Sequence, residues 1–437
     1  MTAFGSFWIV ICICTFFLPL RYLGALLICS CIFQSAGVID LGEGRTVFPI
    51  LITEGILFIR VFFLSLFKSK LLVNQVLRYL IYFVSFAILT SFFLPSIFSG
   101  MVKVFVYGVG VDTNLRRGGE YLRPANSNII QSIYLIIHLI ACVCLVNIPV
   151  NSSKNNFNFY LKALVVTILV VVVIGFWEFI SKTTGFIYFP KSFFINSDSS
   201  LSEQTTMGGL MRLNSTFLEP SFAGAFLAGA FWVLWTLENF RFSKLLAAIT
   251  FVALVLNLSG TGLISFCFGG IIYFLINDLK KALRFLVIII IATALIYTLP
   301  YFEFITRLIS EKTDSQSGKV RSSTIAYSIN LFIETYGVGV GLGSHRGASF
   351  LTATLSTVGI IGTYLFFKFY RKIMLVVLAL SKLNRNYMVV FYFGTVLLFA
   401  QILAIPDLSF TPFWMWIFTA ILLFNSKQQY EANSTKI

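Results

Sequence analysis

The chain has 437 residues, 58% of them hydrophobic and 11% charged, with a mean hydropathy of +0.90 and a formal net charge of +15. A soluble domain carries about 25% charged residues, so the composition excludes a soluble globular protein and indicates one that lives in lipid. The seven cysteines all fall within apolar runs, which argues against a disulfide framework or a zinc site. The basic excess gathers on no soluble face, so no nucleic-acid partner is expected.

A membrane-crossing helix needs ~20 mainly apolar residues. In chain order, the stretch 6–38 is too long for one straight span and is interrupted at Pro19-Leu20-Arg21. It reads as one broken span or two short ones. Good spans follow at 47–67, 79–98, 128–147, 162–180, 219–237, 285–300, 348–369 and 387–404. Shorter runs at 245–257, 263–277 and 412–424 cross with flanking residues or some bilayer thinning. The runs are continuously apolar, without the period-two alternation of a barrel strand. The expectation is an all-α polytopic membrane protein of about 12 (12–13) spans, forming one membrane domain over 1–437 with no repeat and no separate soluble part. Arg21 is the first basic residue, which makes a cleavable signal peptide unexpected.

The connections fall into two sets. The set at 68–78, 148–162, 238–244, 278–284, 370–386 and beyond 424 holds sixteen Lys/Arg against three Asp/Glu. The set at 39–46, 99–127, 181–219, 301–347 and 405–411 holds thirteen against twelve. By the positive-inside rule the first set is cytoplasmic, with the C-terminus, and the second faces outward. The net charge then reflects topology and attraction to anionic lipid headgroups.

Two outward windows are long and polar. The first, 181–219, ends in Arg212-Leu-Asn-Ser-Thr-Phe-Leu-Glu219-Pro220. Glu219 before Pro220 suits a helix entry, where an acidic residue complements the dipole. Arg212 suits either a headgroup anchor or a clamp on a lipid-linked phosphate, because guanidinium binds phosphate oxygens bidentately. The second window, 301–347, carries amphipathic patterns at Phe302, Ile305, Leu308 and Ile309, then at Ile325, Ile329, Phe332 and Ile333. These predict short helices lying on the bilayer. Arg321 opens the second helix and Glu334 closes it. The glycines at 337, 339, 341 and 343 permit a tight backbone whose N–H groups can converge on an anion, or serve as a plain re-entry turn. Ser344-His345-Arg346 ends the window. His345 has the residue type to take a proton from a sugar hydroxyl, and Arg346 to hold a diphosphate. His138, Glu54 and Arg60 lie within predicted spans, where interhelical contacts are expected. Asp407 follows Pro406 in a short outer turn and is read as a cap. The cluster Arg116, Arg117 and Arg123 suits either an anionic glycan or headgroups.

Taken in order, these elements resemble the O-antigen polymerase and ligase superfamily of bacterial envelope proteins. The resemblance rests on Arg212 through Pro220, the small outer turn Leu258-Ser-Gly-Thr-Gly262, Arg321 before an amphipathic helix, Gly339 through Arg346, and Gly359-Ile-Ile-Gly362. It covers roughly 160–370. Many relatives place an arginine in the small turn, which here is Gly-Thr-Gly. The resemblance implies a GT-C-like glycosyltransferase of the bacterial inner membrane with its site facing the periplasm. It implies metal- and cofactor-independent transfer, with undecaprenyl-diphosphate-linked glycans as donor and acceptor and a chain-length regulator as a partner. Arg212, Arg321 and Arg346 would hold diphosphate or glycan, and His345 or Glu219 would act as base. The absence of an Asp-x-Asp motif fits a lipid diphosphate as leaving group. The Gly-Ser-x-Arg turn is more similar to polymerases than to ligases, which pass the glycan to lipid A–core. A flippase or other transporter would instead line a midplane cavity with its charges.

The orientation is open to a direct test. Cysteines introduced at Ser199 and Ser317 should react with a membrane-impermeant thiol reagent in cells with a permeabilised outer wall, and one at Ser381 should not. Labelling at Ser381 alone would invert the topology.

Overall fold

The computed structural model describes all residues except 43–45, 66–74, 108–110, 149–152, 197–205, 208–209, 239, 281–282, 285–286, 288–290, 292–315 and 435–437. The amphipathic pattern at 302–309 and most of the span expected at 285–300 lie outside the described residues.

The described chain is dominated by helices, numbered here α1 (Ala3–Phe17), α2 (Leu20–Ser30), α3 (Pro49–Ser65), α4 (Gln75–Ile97), α5 (Val111–Arg117), α6 (Asn126–Val146), α7 (Ser153–Thr184), α8 (Lys191–Phe194), α9 (Pro220–Thr236), α10 (Ser243–Asn257), α11 (Gly260–Asn277), α12 (Gln316–Glu334), α13 (Phe350–Ser381), α14 (Met388–Ala404) and α15 (Thr411–Ser434). Its strands are three two-residue antiparallel ladders in the connections. Among the described residues, six helices are long and apolar enough to cross a membrane, including α4, α6, α11 and α13. The chain is an all-α membrane protein. The interrupted stretch 6–38 forms two helices broken at Pro19, which has no N–H to continue α1.

The packing centres on α9. It is apolar on every side and buried along nearly its whole length, against α10, α11 and α14. Glycine sets how closely the helices cross. A Cβ on Gly262 would stand 2.8 Å from the Gly224 Cα, so α9 and α11 meet backbone to backbone. Ser259 caps α11 by accepting from the Gly262 N–H (3.3 Å).

A second close approach holds the glycine turn that follows α12. Gly339 has φ +85°, and a Cβ there would stand 2.5 Å from the Thr357 carbonyl. Gly359 lies opposite, inside α13, at φ 68° and ψ −171°. Only glycine occupies that region readily. The turn is inserted between helices rather than left as an open anion nest. Its Val340 and Gly341 N–H groups donate to Ser356 O and Thr357 O (2.9 and 2.8 Å). Asn128 of α6 donates to Leu342 O and to Ser344 Oγ, each at 2.7 Å.

The second amphipathic helix expected in that window, from Arg321 to Glu334, is α12, but its inward face differs from the apolar one expected. Thr324, Ser328, Leu331 and Thr335 are buried, while Ile329 and Ile333 face outward. Small hydroxyl residues let α12 sit closely on α13, and their hydroxyls bond back to the helix's own carbonyls one turn earlier (2.6–2.8 Å).

Replacing Gly359 with Ala should lower the melting temperature in detergent by several degrees, from about 1–3 kcal/mol of backbone strain plus a collision with the Val338 carbonyl. Gly55→Ala, on α3 with open space around it, is the control and should not destabilise. Equal melting of the two variants would mean that the 339–359 contact carries no load.

Candidate functional site

Six side chains are linked electrostatically, each to one or more of the others. Arg212 feels both Arg321 and Glu219. Asp407 feels Glu219 and Arg346. Tyr107 feels Asp407 and Arg346. Four of the five site residues expected from the sequence, Arg212, Glu219, Arg321 and Arg346, therefore belong to one cluster although they span 135 positions of sequence.

Arg212 is positioned by the end of α10. Its Nε donates to Asn257 O (3.1 Å), and Asn257 Nδ2 donates back to Leu213 O (2.6 Å). Glu178 of α7 holds the next turn of chain. Its Oε2 accepts from the N–H groups of Asn214 (3.1 Å) and Ser215 (2.7 Å), while Oε1 pairs with Lys182. Ser215 has φ +56°, a strained conformation that these bonds stabilise. Burial and the neighbouring Arg321 pull the Arg212 guanidinium down to about 10, with Glu219 opposing. It remains charged at neutral pH. A guanidinium that is half out of water and repelled by a second one favours an anion between them.

Glu219 is the N-cap of α9 but makes no side-chain cap bond. Its Oε2 instead accepts from Ser221 Oγ (3.0 Å). Asp407 lies in the turn between α14 and α15. Burial holds its carboxyl above the usual range, Arg346 opposes this, and Glu219 adds to it. Burial first, and then Asp407, push the Tyr107 phenol up, so it stays protonated as a hydrogen-bond donor. Arg346 is fixed through its main chain, whose N–H donates to Phe105 O (2.9 Å).

His345 takes a different part from the one expected. It is 1% exposed, and both ring nitrogens are engaged. Phe105 N–H donates to Nδ1 (3.1 Å), and Nε2 lies 2.9 Å from Ser328 Oγ. The Ser328 hydroxyl donates to Thr324 O (2.8 Å), so Nε2 carries the proton and donates to Oγ. The ring stacks on Tyr327, which stacks on Phe105. Burial pushes its pKa down to about 3. With no free lone pair, this neutral imidazole ties α12 and the Phe105 segment to the turn that carries Arg346.

Three members of the arrangement were not singled out as functional in the sequence. Asp407 was read as a cap, although it shares an outward connection with Pro406 at the level of Glu219. Glu178 lay inside the predicted span 162–180, where an isolated carboxylate is itself a signal. Tyr107 carried no signal, since only the folded loop brings it to Arg346. Arg116, Arg117 and Arg123 are exposed. Comparison with family models and with curated proteins finds no match for this chain.

The buried neutral ring gives a pH dependence with a definite sign. The folded pKa of about 3 lies below the ordinary 6.5. The unfolded chain therefore binds the extra proton first, and stability is full above about pH 6.5 and lost as pH falls toward 3. The slope is roughly 1.4 kcal/mol per pH unit in that window. Melting curves at pH 7, 6 and 5 should fall for the parent protein and flatten for His345→Gln. An unchanged slope in the variant would mean that His345 titrates freely.

Proposed function

We propose that this protein is a glycosyltransferase that joins lipid-diphosphate-linked glycans into a surface polysaccharide at the outer face of a bacterial inner membrane. The observation that supports the reading is the convergence of Arg212, Arg321 and Arg346 with the carboxylates Glu219 and Asp407 at one end of the bundle. The charge bias of the connections assigns that end to the periplasm. The six long helices, with shorter apolar ones such as α9 and α10, fit about 12 crossings.

The chemistry matches the parts. An acceptor sugar hydroxyl attacks the anomeric carbon of the donor glycan and forms the new glycosidic bond. The bond from that carbon to the diphosphate oxygen breaks, and its electron pair leaves with the lipid diphosphate. The three arginines offset the charge that grows on the leaving group. The acceptor proton passes to a carboxylate. Asp407 suits this best, because burial raises its proton affinity. Glu219 keeps Asp407 basic and steadies Arg212. His345 serves as a positioning residue. A polymerase and a ligase share this step and differ in acceptor, and a deletion strain separates them. A polymerase defect leaves single repeat units on the lipid A–core. A ligase defect leaves the core bare while lipid-linked polymer accumulates. Lipid-linked units held on the cytoplasmic face would instead indicate a flippase.

In purified enzyme with a synthetic lipid-linked repeat, Arg346→Lys should lose about 10- to 100-fold in turnover, since an ammonium lacks the planar fork. Asp407→Asn should lose ~10²–10⁴-fold, the cost of removing a general base. Chelator should change nothing. Full activity in both variants would remove the cluster from the reaction, and inhibition by chelator would sink the metal-free step.

A further inference from the structure

Beside the charge cluster lies a cavity of about 110 Å³, lined by residues of α2, α3, α6, α9 and α15 and of the segments next to them. At ~10–15 Å³ for each water, it has room for several waters, about the bulk of one sugar ring. Its walls include the aromatic faces of Phe48, Phe222 and Phe410, and its polar lining includes Gln34, His138 and Asp407. The cavity therefore runs from the proposed reaction centre down to a buried pair of ionisable groups.

Those polar groups are costly to bury and only partly satisfied. Gln34 is 5% exposed. Its Nε2 donates to Thr411 Oγ1 (2.8 Å), but its Oε1 has no hydrogen-bond partner among the described residues. His138 and Glu54 are each 2% exposed and lie 2.6 Å apart through Nδ1 and Oε1, which fixes the ring, while Glu54 Oε2 has no partner among the described residues. Trp414 packs beside the imidazole, with ring centroids 4.5 Å apart. The segment carrying Gln34 is anchored by its neighbour across the site, as the Gln34 and Ser35 N–H groups both donate to Thr216 O (3.0 Å). That anchor belongs to the same stretch of chain that carries Arg212.

We propose that this cavity is the acceptor subsite, and that it holds one pyranose ring with its reacting hydroxyl toward Asp407. The assignment rests on the glycosyltransferase reading above. A pyranose presents C–H faces that pack on aromatic rings and hydroxyls that both donate and accept. A hydroxyl donates to Gln34 Oε1, and another packs beside His138. An isoprenoid tail offers no donor to Gln34 and would leave it unmatched.

The test uses full-length protein in nanodiscs and two probes. One is the delipidated repeat oligosaccharide released from the producing cell's polysaccharide by mild acid, and the other is farnesyl diphosphate. Saturation-transfer NMR should detect both on the parent protein. Gln34→Leu, close in size to the residue it replaces, should weaken oligosaccharide binding at least tenfold and leave farnesyl diphosphate binding unchanged. Phe48→Ala, at a half-buried wall position, should do the same and covers the case in which Gln34→Leu does not fold. Undiminished oligosaccharide binding in both variants overturns the subsite, as does tighter farnesyl diphosphate binding in Gln34→Leu, which would mark an isoprenoid channel. If the parent protein binds farnesyl diphosphate but no oligosaccharide, the subsite falls and the transferase reading stands. If it binds neither, both fall.

Discussion

Backbone-to-backbone contact at glycine is the constraint on which the rest of this architecture depends. In lipid there is little hydrophobic gain from packing one apolar helix on another, so helices associate through close van der Waals approach. Gly224 against Gly262 draws α9 onto α11, and Gly339 against Gly359 seats the turn after α12 on α13. Each contact sits one short step from a charged side chain. The first lies five residues beyond Glu219 and beside Asn257, whose carbonyl holds Arg212. The second lies seven residues before Arg346. A methyl group at either crossing would displace a charge as well as a helix.

Electrostatics supplies the other half. Three guanidinium groups and two carboxylates share a poorly solvated space, and the bonds that position the chain around them run largely to main-chain groups. Glu178 is spent on two N–H groups of the Arg212 loop, and His345 on Phe105 and Ser328. Groups fixed in this way need little reorganisation when charge develops on a bound molecule, which is how a preorganised site gains over water.

The sequence made the membrane helices legible because a run of apolar residues needs no partner to be recognised. The break at Pro19, the helix entry at Pro220 and the helix opening near Arg321 all followed from local rules about proline and periodicity. What stayed hidden depends on neighbours distant in sequence. His345 looked like a base because its residue type is suited to one, and only Phe105 and Ser328 reveal that both nitrogens are occupied. The apolar stripe of α12 pointed to the wrong inward face, because hydroxyls that bond to their own helix count as polar in a pattern but pack as small residues. The glycine run was visible, yet its use as a wedge depends on where α4, α6 and α13 stand.

The all-round apolar surface of α9 bears on how such a chain is assembled. Helices α10, α11 and α14, which enclose it, are made after it, and α14 lies more than 150 residues downstream. Until they arrive, α9 can wait in the bilayer without exposing anything that lipid would reject, since none of its seventeen residues is charged. Glu219, at its outer end, can remain at the water boundary meanwhile. The charged cluster is therefore among the last features to form, closed when the turn between the final two helices brings Asp407 into place. An incompletely synthesised chain would hold the arginines but not the group proposed to complete them.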